Sequence, residues 1–221
     1  MKEMYFTDLS LDQQAGELYQ QVSEMTHIQK LEFKPAHSAL LVLDLQSYFL
    51  DPTSHAYIPS AGAILDGILQ LVDEFSTHQR PIFFSQHLNT AEDAGSMSTW
   101  WKELITPDHP QRGIIPDIDL SVGTLIQKCQ YDAFYKTSLD EMLSARGVTQ
   151  VVICGVMTHL CCESTARSAF MHGYEVFFPV DGTATYNLTY HRASLVNLAH
   201  GFASLVFVKD ILDSMRGGHD G

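Results

Sequence analysis

Three residues carry side chains whose types suit covalent chemistry. Asp44 closes the apolar run SALLVLD over residues 38–44. A carboxylate placed directly after such a run is costly to bury unless a partner meets it. Lys128 closes TLIQK over residues 124–128. Cys161 lies in VVICGVMTHLCCESTARSAF, a few residues past QVVIC and at the start of a helical stretch. Taken singly, each has an ordinary reading: a turn aspartate, a solvated lysine, a buried cysteine. Together a thiol, a carboxylate and a cation supply a nucleophile, a proton acceptor and an electrostatic anchor. Backbone N–H groups at a helix N-terminus are unpaired and favour an anion there. They are expected to lower the thiol pKa of Cys161, and they suit the oxyanion of a tetrahedral intermediate. Gly155 allows a tight exit from the preceding strand. Cys162 is about 100° further round a helix, so both thiols cannot enter one site.

These groups meet only if the strands before them end on one edge. Ser38–Asp44, Arg80–Ser85, Thr124–Lys128, Gln150–Cys154, Tyr174–Phe178 and Ala203–Val208 read as short buried strands. Ala61–Phe75, Ser138–Ala145, Leu160–Met171 and Tyr190–Ala199 read as the helices between them. The alternation predicts parallel βαβ units. The fold class is α/β: a single doubly wound, Rossmann-like sheet of six parallel strands with helices on both faces. Such folds place their sites at the carboxyl ends of strands, where Asp44, Lys128 and Cys161 all fall. Ser10–Ile28 reads as an amphipathic helix started by a Ser10–Gln13 capping box. Residues 1–35 are therefore expected as an N-terminal helical extension, 36–212 as the single α/β domain and 213–221 as a flexible tail. The connection His87–Gly123 is about three times the usual length. It is rich in Gly, Ser, Asp and Pro, holds both Trp100 and Trp101, and is expected to form a lid or pocket wall.

Composition narrows the partners. A chain of 221 residues suits one domain. A net charge of −13 argues against nucleic acid or an anionic membrane as partner. No run approaches the roughly 18 apolar residues of a membrane span, and the first thirty residues are too polar for a signal peptide. The reading is a soluble, cytoplasmic protein. Four cysteines with no CxxC pair speak for a reducing compartment and against zinc held by cysteines. No Walker or G-x-G-x-x-G loop is present, which disfavours a nucleotide-binding module.

The ordered blocks resemble the isochorismatase-like cysteine hydrolases. That family shares a strand ending in D-x-Q, a Lys followed by x-x-(Y/F)-x-A-F, and a G-V-x-T-x-x-C-V-E-S-T-A-R-type block. Here they read Asp44-Leu45-Gln46, Lys128 through Tyr131 to Phe134, and Gly155 through Thr158 and Cys161 to Arg167, with Asp181–Tyr186 matching a downstream D-x-x-A-x-x. The resemblance covers roughly Lys34 to Val208. It implies Cys161 as nucleophile with Cys162 at a variable position, Asp44 as general base and Lys128 as the third catalytic group. It also implies an oxyanion hole from the amides of Thr158 and Cys161, and a non-proline cis peptide at Val156–Met157 or Met157–Thr158. The implied reaction is hydrolysis of a small molecule's non-peptide amide C–N bond through a thioester, with no metal and no cofactor.

Gln46, Phe49, His87, Trp101 and Tyr131 are the expected pocket residues, suited to a small, flat or cyclic amide. Siderophore-pathway isochorismatases lack the cysteine, so vinyl-ether hydrolysis of isochorismate by Asp44 and Lys128 is an alternative. QSYFLDPTSHAYIPS after the first strand looks more like them than like nicotinamidases. A catalytically silent, small-molecule-binding homologue is a further alternative. Nicotinamidase-type enzymes carry a metal on a D-x-H motif. Asp51-Pro52-Thr53 lacks that histidine, which leaves only His55 and His87 as candidates, and no metal is expected. The expected partners are a small-molecule substrate and copies of the chain in a homodimer or homotetramer.

Overall fold

The structure is a computed structural model and describes residues 1–217. Its strands are β1 Ser38–Leu43, β2 Ile82–His87, β3 Thr124–Lys128, β4 Gln150–Val156, β5 Glu175–Pro179, β6 Thr183–Ala184 and β7 Ser204–Val206. Its helices are α1 Leu11–Met25, α2 Ser47–Leu50, α3 Leu65–Thr77, α4 Met97–Trp100, α5 Leu139–Ser144, α6 Glu163–Met171, α7 Leu188–Gly201 and α8 Val208–Gly217.

The strands form one parallel sheet in the order β3-β2-β1-β4-β5-β7, with the two-residue β6 added beside the end of β4. The chain moves outward from β1 to β3, returns to lay β4 against β1, and then moves outward the other way. The crevice between the ends of β1 and β4 is therefore the topological switch point. Helices cover both faces, so β1 and β4 are buried at every position and read as unbroken apolar runs. Register levels the strand ends: Leu43 pairs with Ser85 and with Gly155, and His87 pairs with Lys128. Gly155 stands at φ 109, and a Cβ there would lie 2.2 Å from the Leu43 carbonyl oxygen. Only glycine fits that approach.

Around this sheet α3 packs on β1 and β2 through Ile68, Leu71, Val72 and Phe75. The amphipathic α8 packs on α3 and buries Ile211, Leu212 and Met215. Residues 213–217 are thus the last turns of a helix and not a tail, because Met215 continues the apolar stripe; 218–221 lie outside the described residues. The N-terminal helix is shorter than expected and lays Ala15, Leu18 and Val22 toward α7. Its capping box does not form. Ser10 sits in the helical region at φ −119, ψ −6, and its Oγ meets Thr7 Oγ1 at 2.8 Å, while Gln13 bonds Glu17. Among the described residues no helix is long and apolar enough to cross a membrane.

Candidate active site

The end of β1 is tied to the end of β2. Asp44 turns out of its strand at φ 52, a left-handed conformation rare for a side-chain-bearing residue. Its N–H meets Ser85 Oγ at 3.2 Å, and Ser85 Oγ–H donates back to Asp44 Oδ1 at 2.6 Å. The other carboxylate oxygen lies 2.8 Å from Lys128 Nζ, and both side chains are fully buried. The ammonium also donates to Gln130 O at 3.0 Å and to Cys161 Sγ at 3.4 Å. Burial alone would lower the Lys128 pKa. The Asp44 carboxylate and the contact with Cys161 overturn that and hold the group as an ammonium. Ser85 was visible only as the last residue of an expected strand; its pairing with Asp44 depends on sheet register.

Beside the pair stands His87. Asn89 Nδ2 donates to Cys129 O at 2.9 Å, which turns Asn89 Oδ1 toward His87 Nε2 at 2.8 Å. Nδ1 is then the acceptor face, 3.5 Å from the Lys128 ammonium. Burial and the neighbouring Lys128 charge push the imidazole down to about 4, so it stays neutral. Gln46, expected in the pocket, is a brace instead. It is fully buried, donates to His87 O and Arg112 O at 3.0 and 2.8 Å, and accepts the His87 N–H at 2.8 Å. Both N–H donors of the Gln46 amide and one lone pair of its oxygen are thus spent on backbone groups.

Beyond β4 the chain makes a cis Val156–Met157 peptide and then a π-helical turn, Thr158–Cys162, that runs into α6. Such turns recur at functional sites. Leu160 and Cys162 both donate their N–H to Met157 O, at 3.1 and 3.2 Å. The N–H groups of Thr158 and Cys161 take part in neither bond. Cys161 is 4% exposed and faces the pocket, whereas Cys162 is 0% exposed and belongs to the apolar core. The expected lowering of the Cys161 pKa is reversed. Burial raises it, Asp44 raises it further and Lys128 only partly compensates, leaving the thiol at about 12. The helix-terminus argument fails here because the sulfur is too deep for its effect to outweigh desolvation.

A sheet edge that gathers a carboxylate, an ammonium and a thiol at a topological switch point has recognisable relatives. Residues 38–210 match the Isochorismatase domain. The chain belongs to the isochorismatase family. It is similar to Nicotinamidase 3 of Arabidopsis thaliana, 38% identical over 185 residues that cover 81% of this chain and 89% of that one. It is 28% identical to Enterobactin synthase component B of Escherichia coli (strain K12), covering 81% of this chain and only 64% of that relative. The fold matches that of a cysteine hydrolase from Pseudomonas syringae pv. phaseolicola 1448A, at TM-score 0.82, 23% identity, and 87% and 98% coverage of the two chains. The protein is a hydrolase of this family.

Above the triad of side chains opens a pocket of about 530 Å³, counting its mouth. Phe49, His87, Trp101 and Tyr131 are among its lining residues, and Trp101 Nε1 donates to Tyr131 OH at 2.8 Å. The long connection after β2 forms one wall through Asn89, Met97, Trp101 and Glu103. The sequence reading missed Tyr48, Leu160 and Tyr186, which enter from the single-turn helix α2, from the π-helical turn and from the loop after β6.

The metal site of nicotinamidase-type relatives does not fit these residues. His55 Nδ1 is engaged by Glu103 at 2.8 Å, and the other Glu103 oxygen meets His109 Nε2 at 3.0 Å. Asp51 is occupied by the N–H and hydroxyl of Thr53. Both ring nitrogens of His87 face partners. Among the described residues no three His, Cys, Asp or Glu side chains are grouped to hold a metal ion.

Proposed function

We propose that this hydrolase cleaves the amide C–N bond of a small, flat, uncharged molecule through a thioester on Cys161, without a metal. The observation that carries the reading is the Lys128 ammonium standing between Asp44 at 2.8 Å and Cys161 at 3.4 Å, at the floor of an aromatic pocket. Because the thiol is held protonated, its proton must leave as the sulfur attacks. Asp44 takes that proton, and Lys128 holds both partners in place and balances the charge. The amide carbon becomes tetrahedral, and its oxygen turns toward the N–H groups of Thr158 and Cys161. The C–N bond breaks, and Asp44 returns the proton to the leaving nitrogen. Water, deprotonated by Asp44, then attacks the thioester. The acid departs and the sulfur regains its proton.

The likeness to Nicotinamidase 3 supports amide cleavage. The pocket lining supports an uncharged substrate: it contains no Lys or Arg, and the buried Lys128 beneath it is committed to Asp44. A second reading, vinyl-ether hydrolysis of isochorismate, draws on the likeness to Enterobactin synthase component B. It asks the same pocket to hold two carboxylates with no cation free to meet them.

A substrate screen decides between them. Nicotinamide and other neutral ring amides, maleamate-type and carbamoyl compounds, and isochorismate are offered to the wild type and to Cys161→Ala. Turnover of a neutral amide, lost in Cys161→Ala and trapped as a hydroxamate by hydroxylamine in the wild type, is the expected result. Isochorismate turned over at the wild-type rate by Cys161→Ala would overturn the reading.

A further inference from the structure

The segment before α1 lies outside the matched domain, yet it reaches the active-site turn. Tyr5 and Phe6 are buried, and both of their N–H groups donate to Ser60 Oγ, at 2.9 and 3.0 Å. The phenol of Tyr5 does two things at once. Its oxygen accepts the N–H of Thr185 at 2.9 Å, and its O–H meets His191 Nδ1 at 2.7 Å. Burial raises the pKa of the phenol and lowers that of the imidazole to about 3, so Tyr5 is a donor to a neutral ring. Thr185 in turn holds His159, whose Nδ1 lies 2.5 Å from Thr185 Oγ1. His159 is the second residue of the Thr158–Cys162 turn. The strand just before Thr185, β6, is bonded to Gly155 and Val156, the residues that lead into that turn.

The same segment grips the pocket walls. Glu3 N–H donates to Tyr186 O at 2.7 Å, Lys2 Nζ lies 4.7 Å above the Tyr186 ring, and Lys2 also bonds the His55 carbonyl. Tyr186 and His55 both line the pocket. Residues 2–6 thus bridge the loop that carries His55 and the loop that carries Thr185 and Tyr186.

We propose that Tyr5 is a positioning residue for the active-site turn, acting through Thr185 and His159 on the amides of Thr158 and Cys161, with Lys2 setting the spacing of the pocket walls. The catalytic part of this rests on the hydrolase reading above; the structural part does not. A hydroxyl that touches no reacting atom then acts on the chemical step. Misplacing catalytic donors by a fraction of an ångström costs rate and leaves uniform binding intact.

The test uses the full chain with Tyr5→Phe, which keeps the buried ring and removes only the oxygen, and Lys2→Ala. Hydrogen exchange is followed in residues 157–161 and 183–187, with β1 and β2 as internal reference. Faster exchange of 157–161 in Tyr5→Phe, with β1 and β2 unchanged, is expected; unchanged exchange there overturns the proposal with or without a known substrate. On any amide the enzyme turns over, Tyr5→Phe is expected to lower kcat about tenfold at a KM within twofold of wild type. Lys2→Ala is expected to raise KM a few-fold at constant kcat. Wild-type kcat in Tyr5→Phe counts equally against the proposal. Amide turnover surviving in Cys161→Ala would sink the thioester reading instead, and the exchange result would stand apart from it.

Discussion

The floor of the pocket and its outer wall are held by opposite means. On the floor, Asp44, Ser85 and Lys128 hang from adjacent strand ends in fixed register, and the side chains of Asp44 and Lys128 have no exposed surface. On the wall, His55 and Glu103 come from loops, and Glu103 pairs with His55 and with His109 behind it while partly exposed. The sheet fixes the chemistry, whose geometry tolerates little change. The loops fix the shape of the ligand, which a family can vary without disturbing the sheet. Energy follows the same division. A buried ion pair is stabilising only while both members are present, and an exposed one contributes little either way.

The largest effect is expected from breaking the floor. Lys128→Met leaves the Asp44 carboxylate buried without a counter-charge. It should cost about 3–5 kcal/mol of stability in denaturant unfolding as well as at least ~10³-fold in kcat/KM. Cys161→Ala should lose comparable activity while costing little more than ~1 kcal/mol, since it removes one sulfur from a pocket wall. Equal stability loss in the two variants would show that the ion pair is not the scaffold of the site. The double variant Asp44→Asn, Lys128→Met should recover part of the stability and none of the activity.

The floor and the core behind it also set the response to acid. Burial comes first in keeping His87, His159 and His191 neutral, with pKa values pushed down to about 4, 4 and 3. An unfolded histidine takes up its proton near 6.5. Stability from these groups is therefore full above that value and is lost as pH falls through about 4, because the unfolded chain binds more protons. Asp181 works the other way. Burial raises its pKa to about 6, so its ionisation costs stability above that pH, and the cost is relieved on acidification. Unfolding free energy should fall between pH 6.5 and 4. Asp181→Asn should be more stable than wild type at pH 7 and fall more steeply below it. A flat profile over that range would contradict the buried neutral histidines.

How far the sequence carried this division is instructive. Apolar runs located β1 and β4 closely, because strands covered on both faces have no polar alternation to hide in, whereas the edge strand β3 alternates exposed and buried positions. Asp44 and Lys128 each had an ordinary reading alone, and it was their shared place at carboxyl ends of parallel strands, with Cys161, that singled them out. Register was not legible: nothing local says that Ser85 will meet Asp44, or that Gln46 will spend its amide on the backbone of His87. The direction of the Cys161 pKa shift was misread for a related reason. A helix start is a local feature, but the depth at which it is buried is a property of the whole fold. The walls were least visible, because Tyr48 sits in a four-residue helix, and Tyr186 and the N-terminal Tyr5 lie outside regular elements, where no period marks one face from another.

A smaller effect is expected where the wall is packed but not charged. Trp101→Phe keeps an aromatic surface and removes the indole N–H that holds Tyr131 OH at 2.8 Å. One neutral hydrogen bond at a half-buried site contributes about 1 kcal/mol. KM for a ring amide should therefore rise roughly five-fold with kcat within twofold of wild type. A fall in kcat alone would mean that the Trp101–Tyr131 contact reaches the chemistry, and the separation of floor from wall would fail there.

The smallest effect belongs to the rim. Glu103 joins His55 and His109, but its side chain is 41% exposed and that of His55 is 32% exposed. Solvent screens such pairs, so Glu103→Gln should change stability by no more than about 1 kcal/mol. It should still be felt by a ligand, because it removes the one wall carboxylate facing a pocket without lysine or arginine in its lining. The expected signature is a change in selectivity at nearly constant stability: the ratio of kcat/KM for a carboxylate-bearing amide over a neutral one should rise a few-fold. The electrostatic part of that change should shrink as salt is raised, because the pair is exposed. A selectivity ratio indifferent to the substitution would leave shape alone to sort the substrates, and the wall would then discriminate by its aromatic surfaces without help from its charge.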